Sequence, residues 1–146
     1  MRGRQVIGAS FDLSGINARL DRLTAAAKKN TRKAAQAGAQ VYHDELKARV
    51  PMSAQPHKSG KKVYTPGTLR RAIYQAFVEG ESNEGQATYR VSWNKSHAFY
   101  GKFLEYGTSK MAAKPFLRPG YDAAHPRALS AVREVMRSAV EEELQR

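Results

Sequence analysis

Apolar positions recur at helical spacing over residues 13–50, at Leu13, Ile16, Leu20, Leu23, Ala27, Ala34, Ala37, Val41 and Leu46. That period predicts one long amphipathic helix. Asp12 or Ser14 is placed to cap its start. Pro51 ends it, because proline lacks an amide hydrogen and turns the preceding residue away from helical geometry. The stripe is aliphatic at first and small afterwards, with Ala25-Ala26-Ala27, Ala34-Ala35 and Ala37-Gly38-Ala39 in succession. Small side chains let backbones approach closely, which suits packing against a sheet or a neighbouring subunit. An ordinary core face accounts for the same pattern. Gly38 costs about 1 kcal/mol relative to alanine in a helix interior and allows a bend.

The pattern changes after Pro51. Residues 51–68 hold three prolines, two glycines, three lysines and His57, the composition of an exposed, mobile basic loop. Residues 69–79 and 86–93 read as two strands. In the second, Ala87, Tyr89, Val91 and Trp93 alternate with Thr88, Arg90 and Ser92, as a half-buried strand requires. The turn-rich residues 80–85 between them predict an antiparallel hairpin. Residues 97–106 predict a short helix with Phe99, Tyr100, Phe103 and Leu104 on one side, and Gly107 suits its C-cap. Residues 114–117 are a candidate third strand at an edge, where Pro115 is tolerated. A closing helix is expected from Pro126, a first-turn residue, with Leu129, Val132, Val135, Met136, Ala139 and Leu144 inward. The reading is therefore α+β: a long N-terminal helix and a C-terminal helix packed on a small, mainly antiparallel sheet. Its 146 residues suit one domain, with residues 1–12 as an N-terminal arm.

Charge changes the picture. The chain carries a formal +12. Residues 1–74 hold fifteen Lys or Arg against four Asp or Glu, and residues 75–146 hold ten against nine. This asymmetry points to a polyanion or an acidic protein surface as partner of the first half, and a solvated helix face explains part of it. Glu141-Glu142-Glu143 sit at the unfavourable end of a helix dipole, so a basic partner surface is expected to face them, for example the N-terminal half of a neighbouring subunit. No apolar run approaches the ~20 residues that span a bilayer. No signal-peptide pattern is legible in MRGRQVIGAS, so the chain is expected to stay in a cytosol until it assembles.

Candidate chemistry is sparse. With no cysteine, disulfides, thiolate metal sites and cysteine nucleophiles are excluded. His43-Asp44-Glu45 are consecutive and splay around a helix. His57, His97 and His125 lack a second ligand at metal-site spacing. Glu105 has no partner carboxylate and reads as a salt bridge or a cap. No catalytic, cofactor or metal residue is assigned, and no enzyme activity is expected. Lys58, Lys61 and Lys62, with Arg70 and Arg71, are candidates for sequence-blind contact with DNA phosphates or for a partner surface. A base-reading helix or stacking platform is not recognisable beside them.

Several motifs follow one another in a recognisable order: Val50-Pro51; Thr65 to Leu69 with Arg70; Tyr100 with Phe103-Leu104-Glu105-Tyr106-Gly107-Thr108; and Pro115-Phe116-Leu117-Arg118-Pro119. In this the chain resembles the HK97 gp10-like proteins of tailed bacteriophages, small components of the head–tail junction. A basic insertion over residues 52–64 and Thr65-Pro66-Gly67-Thr68 in place of a plain Thr-Gly depart from that pattern. The resemblance implies a non-enzymatic neck, connector or tail completion protein without cofactors. It would form a homo-oligomeric ring around the DNA exit channel of the virion and touch neighbouring head connector and tail proteins, with no membrane partner. Phe103, Glu105, Tyr106, Gly107, Phe116 and Arg118 are the candidates for the core or the subunit interface. The alternative reading is a sequence-nonspecific DNA-binding protein free in the host cytoplasm.

Overall fold

The computed structural model describes residues 12–146; apart from Asp12, the expected N-terminal arm lies outside them. Two long helices frame the molecule. Helix α1, Ser14–Arg49, is 36 residues long, about 54 Å at 1.5 Å per residue. The Asp12 carboxylate accepts the Ser14 N–H at 2.9 Å, and the last turn closes on Val50 with Pro51 behind it. Helix α4, Leu117–Leu144, runs antiparallel to α1. A Cβ on Gly38 would fall 2.8 Å from Val132, and one on Gly120 2.6 Å from Leu46. Arg19 and Leu23 share a hollow with Glu143 and Leu144 at the other end. The small stripe of α1 thus packs against α4, with Ala34, Gly38 and Ala39 buried on one helix and Gly120, Ala124, Ala128 and Ala139 on the other.

Helix α4 begins nine residues before the expected Pro126. Proline favours a first turn, but the small residues Gly120, Ala124 and Ala128 already repeat at helical period before and across Pro126 and pack on α1. Pro126 sits inside the helix on its exposed side. It forfeits one backbone bond, a cost of about 3 kcal/mol that the buried stripe on the opposite side offsets. The early start also removes the expected third strand. Residues 114–116 form an irregular lead-in, where Lys114 N–H donates to Leu104 C=O at 2.7 Å.

Between the long helices come β1 (His57–Ser59), β2 (Lys62–Tyr64), α2 (Thr68–Ala72), β3 (Ile73–Phe77), β4 (Tyr89–Trp93) and α3 (Gly101–Tyr106). The stretch expected to be a loop therefore carries a hairpin, with Ser59 opposite Lys62. Gly60, at φ +58°, supplies the positive dihedral that a two-residue hairpin turn needs. The hairpin is anchored by aromatic contacts, His57 stacked on Tyr64 at 5.2 Å and Tyr64 edge-on to Tyr100 at 5.3 Å. The first half of the expected strand over residues 69–79 is α2 instead. Its start is tied by Thr68 Oγ1 to Thr65 C=O at 2.8 Å and by Arg71 to the Thr65 hydroxyl at 2.9 Å.

Strands β3 and β4 pair antiparallel, Ile73 opposite Trp93 and Phe77 opposite Tyr89, as the hairpin reading expects. One face of this ribbon lies on α1. Gln75 donates to Gln40 at 2.6 Å, and the Arg32 guanidinium lies 4.1 Å over the Phe77 ring. The core sits where the C-terminal end of α1, α2, the base of the ribbon and the lead-in to α4 converge: Leu46, Val50, Leu69, Ala72, Ile73, Trp93, Ala98 and Phe116. Leu13, Ile16 and Leu20, expected inward, are each more than half exposed; the last residues of α4 meet α1 at Arg19 to Leu23. Leu129 and Leu144 of α4, also expected inward, are exposed as well.

Candidate functional site

The two sequence blocks around Glu105 and Phe116 form one device. Helix α3 ends at Gly107, whose φ of +75° is costly for any residue with a side chain. The chain then folds back through the Thr108–Met111 bridge. This return brings the start of α4 onto the Glu105 side chain. The Glu105 carboxylate, 8% exposed, accepts the N–H groups of Phe116 at 2.8 Å, Leu117 at 2.9 Å and Arg118 at 3.1 Å. The first turn of a helix has amide donors without intrahelical acceptors and a positive dipole end, so a carboxylate satisfies it twice over. Glu105 is thus a cap, one of the two roles its sequence context suggests. Phe116, fully buried, packs edge-on to Trp93 at 5.7 Å and locks the same junction to the ribbon.

The candidates for core or interface therefore divide. Glu105, Gly107 and Phe116 are spent inside the subunit. Phe103 and Tyr106 are 43% and 69% exposed, and Arg118 is exposed too. Tyr106 and Arg118 border a groove of about 790 Å³ between β4, α3 and the start of α4. Phe103 borders a second, of about 540 Å³, beneath the β1–β2 hairpin with Met52, Tyr100 and Met111.

Lys58, Lys61 and Lys62 are exposed on the hairpin, and Arg70 on α2. Arg71 is held by Pro66 C=O and the Thr65 and Thr68 hydroxyls, so it belongs to the local scaffold as much as to a contact surface. A second basic face, absent from the residue-level expectations, runs along α1: Arg19, Arg22, Lys28, Lys29, Arg32 and Lys33 are all exposed. Its signal was present in the charge asymmetry. The ribbon separates the two patches, because the hairpin packs at its Ile73–Trp93 end and Arg32 at its Phe77–Tyr89 end. The run Glu141 to Glu143 is met by nearby arginines, Arg137 of α4 with Glu141, and Arg146 just past the helix with Glu142 and Glu143.

Polar groups also fasten α1 to α4. Arg49 and Arg127 both clasp Glu45. The Arg49 hydrogen bond is the main reason that the Glu45 carboxyl lies below its ordinary pKa; partial burial opposes this and Arg127 adds to it. One turn away, the Tyr42 hydroxyl and His125 Nδ1 are 2.8 Å apart, and Tyr42 stacks on Tyr121 at 5.1 Å. Burial, then proximity to Tyr121, pushes the Tyr42 pKa up. His57 is engaged in ring stacking, and His97 is exposed. Among the described residues no three His, Asp or Glu side chains converge.

What these elements define is a helix-framed ribbon whose distinctive features are surfaces: two basic patches and two grooves rimmed with aromatic side chains. The chain belongs to the HK97-gp10-like family, described as "Bacteriophage HK97-gp10, putative tail-component", which it matches over residues 14–107. The match runs from the first turn of α1 to the glycine that ends α3, so the Glu105 cap falls inside it and the capped helix outside. No curated protein and no solved structure matches the chain. It is therefore a member of a phage tail-component family. No helix among the described residues is long and apolar enough to cross a membrane.

Proposed function

We propose that this protein is a structural, non-enzymatic component of the head–tail junction of a tailed phage. Several copies form a ring around the DNA exit channel and join the head connector to the tail. The observation that carries this reading is the family match over α1, the ribbon and α3. The charge distribution supports it: Lys58, Lys61, Lys62 and Arg70 on one patch and the α1 face on the other offer sequence-blind contacts to phosphates. A ring requires two different, complementary surfaces on each subunit, and the exposed groove beside Phe103 is available as one of them. The test is immunogold electron microscopy of purified particles. Label at the head–tail junction is expected; absence of label from intact particles, with antigen reactive in denatured controls, overturns the reading.

The α1 basic face favours one alternative, a free DNA-binding protein of the host cytoplasm. That reading requires the purified protein to bind any duplex, with affinity falling steeply as salt rises. A junction component needs only weak binding before it assembles.

A further inference from the structure

Among the described residues, strand β4 is open along one edge. Val78 N–H donates to Thr88 C=O, and Asn94 N–H to Ala72 C=O, both at 2.9 Å, at the two ends of the β3–β4 ladder. In an antiparallel pair the bonded positions alternate, so Arg90 and Ser92 turn their backbone groups to β3, and Tyr89 and Val91 turn theirs away. No third strand pairs with β4 among the described residues. An isolated two-stranded ribbon is marginal, and an unpaired edge is a template for another strand. Here the edge opens into the groove of about 790 Å³.

The groove selects its occupant by shape and by charge. Tyr106, Pro115 and Arg118 line it opposite the edge, with Tyr42 and Tyr121 also exposed to it. Its volume of about 790 Å³ suits a short segment of chain rather than a folded domain. The one carboxylate lining it among the described residues, Glu105, is already taken by three amides at the start of α4. Arg90 is shared with Glu81 at 3.2 Å, and Arg118 has no ion-pair partner among the described residues. The groove is therefore apolar with a cationic rim. Residues 1–11 of a neighbouring copy are poor candidates, because they carry Arg2 and Arg4 and no acid.

We propose that an extended, acidic and aliphatic segment of another virion protein adds to β4 as a third strand. Its main chain pairs with Tyr89 and Val91, its apolar side chains lie against the tyrosines, and a carboxylate meets Arg118. This is strand addition, in which the backbone supplies affinity and alternate side chains supply specificity. The proposal rests on the reading of the protein as a particle component.

Photo-cross-linking in assembled particles tests it, with p-benzoylphenylalanine in place of Tyr106, and in place of Tyr74 on the opposite, solvent-facing side of the ribbon as control. Mass spectrometry is expected to find adducts from position 106 to an acidic segment of a different virion protein, and none of these from position 74. Val91→Pro removes an outward N–H without breaking a bond to β3, and Arg118→Gln removes the rim charge without placing a carboxylate beside Glu105. Each is expected to cut the adduct yield about tenfold or more, with Arg118→Gln deciding if the proline variant fails to fold. Adducts only to a second copy of this chain, or none in particles that contain the protein, overturn the proposal and leave the junction reading standing. Particles that lack the protein overturn both.

Discussion

The two ends of this molecule are built differently. At one end the C-terminal turns of α1, α2, the base of the ribbon and the Glu105 cap enclose Phe116 and Leu69, which are 0% and 2% exposed. At the other, α1 runs past the end of α4, and Leu13, Ile16 and Leu20 are each more than half exposed, as is Leu144. The same residue type, leucine, is core at position 69 and surface at position 20. Stability is thus concentrated at the end where the chain crosses itself most often, and the far end is two helices joined by small-residue contacts. The contrast shows that the segment carrying Glu105 and Phe116 is a folding device: its buried carboxylate and ring fix the start of α4.

The largest effect expected is from Phe116→Ala, which empties the centre of the dense end and should cost about 3–5 kcal/mol in urea unfolding. Glu105→Ala comes next. It strands the first amides of α4 and should cost about 2–3 kcal/mol, with Glu105→Gln recovering part of the loss because its amide oxygen still accepts. A cost equal to that of an average surface change would mean that α4 does not depend on this cap. Gly107→Ala should cost about 1–3 kcal/mol, since the added Cβ lies 2.9 Å from Ala113 N in a backbone conformation that disfavours side chains.

A pH titration sharpens the contrast between ends. The Glu45 carboxyl is held below its ordinary value of 4.5, first by Arg49 and further by Arg127. Its contribution is therefore fully present above that value and lost as pH falls through the lower pKa of the folded state. Wild type should lose stability toward Glu45→Gln over that acid range, read as converging urea midpoints; parallel midpoints would remove Glu45 from the fastening of α1 to α4. The smallest effect belongs to the far end. Leu20→Ser should change stability by no more than about 0.5 kcal/mol, and a loss matching Phe116→Ala would break the comparison outright.

Legibility followed the range of the interactions. The long helix was readable to within a residue or two because its period, the Asp12 cap and Pro51 are all local signals. The β3–β4 hairpin was readable from the alternation around Tyr89, Val91 and Trp93. The β1–β2 hairpin was not, because its strands are polar, three residues each, and held by rings that come from Phe99 and Tyr100. Among the candidate site residues, the charges at Lys58, Lys61 and Lys62 were legible as exposed. Whether Glu105, Phe116 or Tyr106 faced inward or outward was not, since all three sit in one motif-rich stretch and only the fold-back after Gly107, which lays the start of α4 on the Glu105 side chain, fixes which side is inward.

By itself the sequence determined the α+β class, the ends of α1, the glycine stop after α3, the charge asymmetry and the family. Each depends on residue type and on spacing within a few positions. Only the tertiary structure decided that α4 starts at Leu117 despite Pro126, that Glu105 caps it from another helix, and that the edge of β4, unpaired among the described residues, faces an apolar groove with a cationic rim. Those outcomes turn on which distant segments meet. The deciding energies are the close approach of Gly38 to Val132 and of Gly120 to Leu46, and the pairing of a buried carboxylate with three amides. They arise between residues that no local pattern connects.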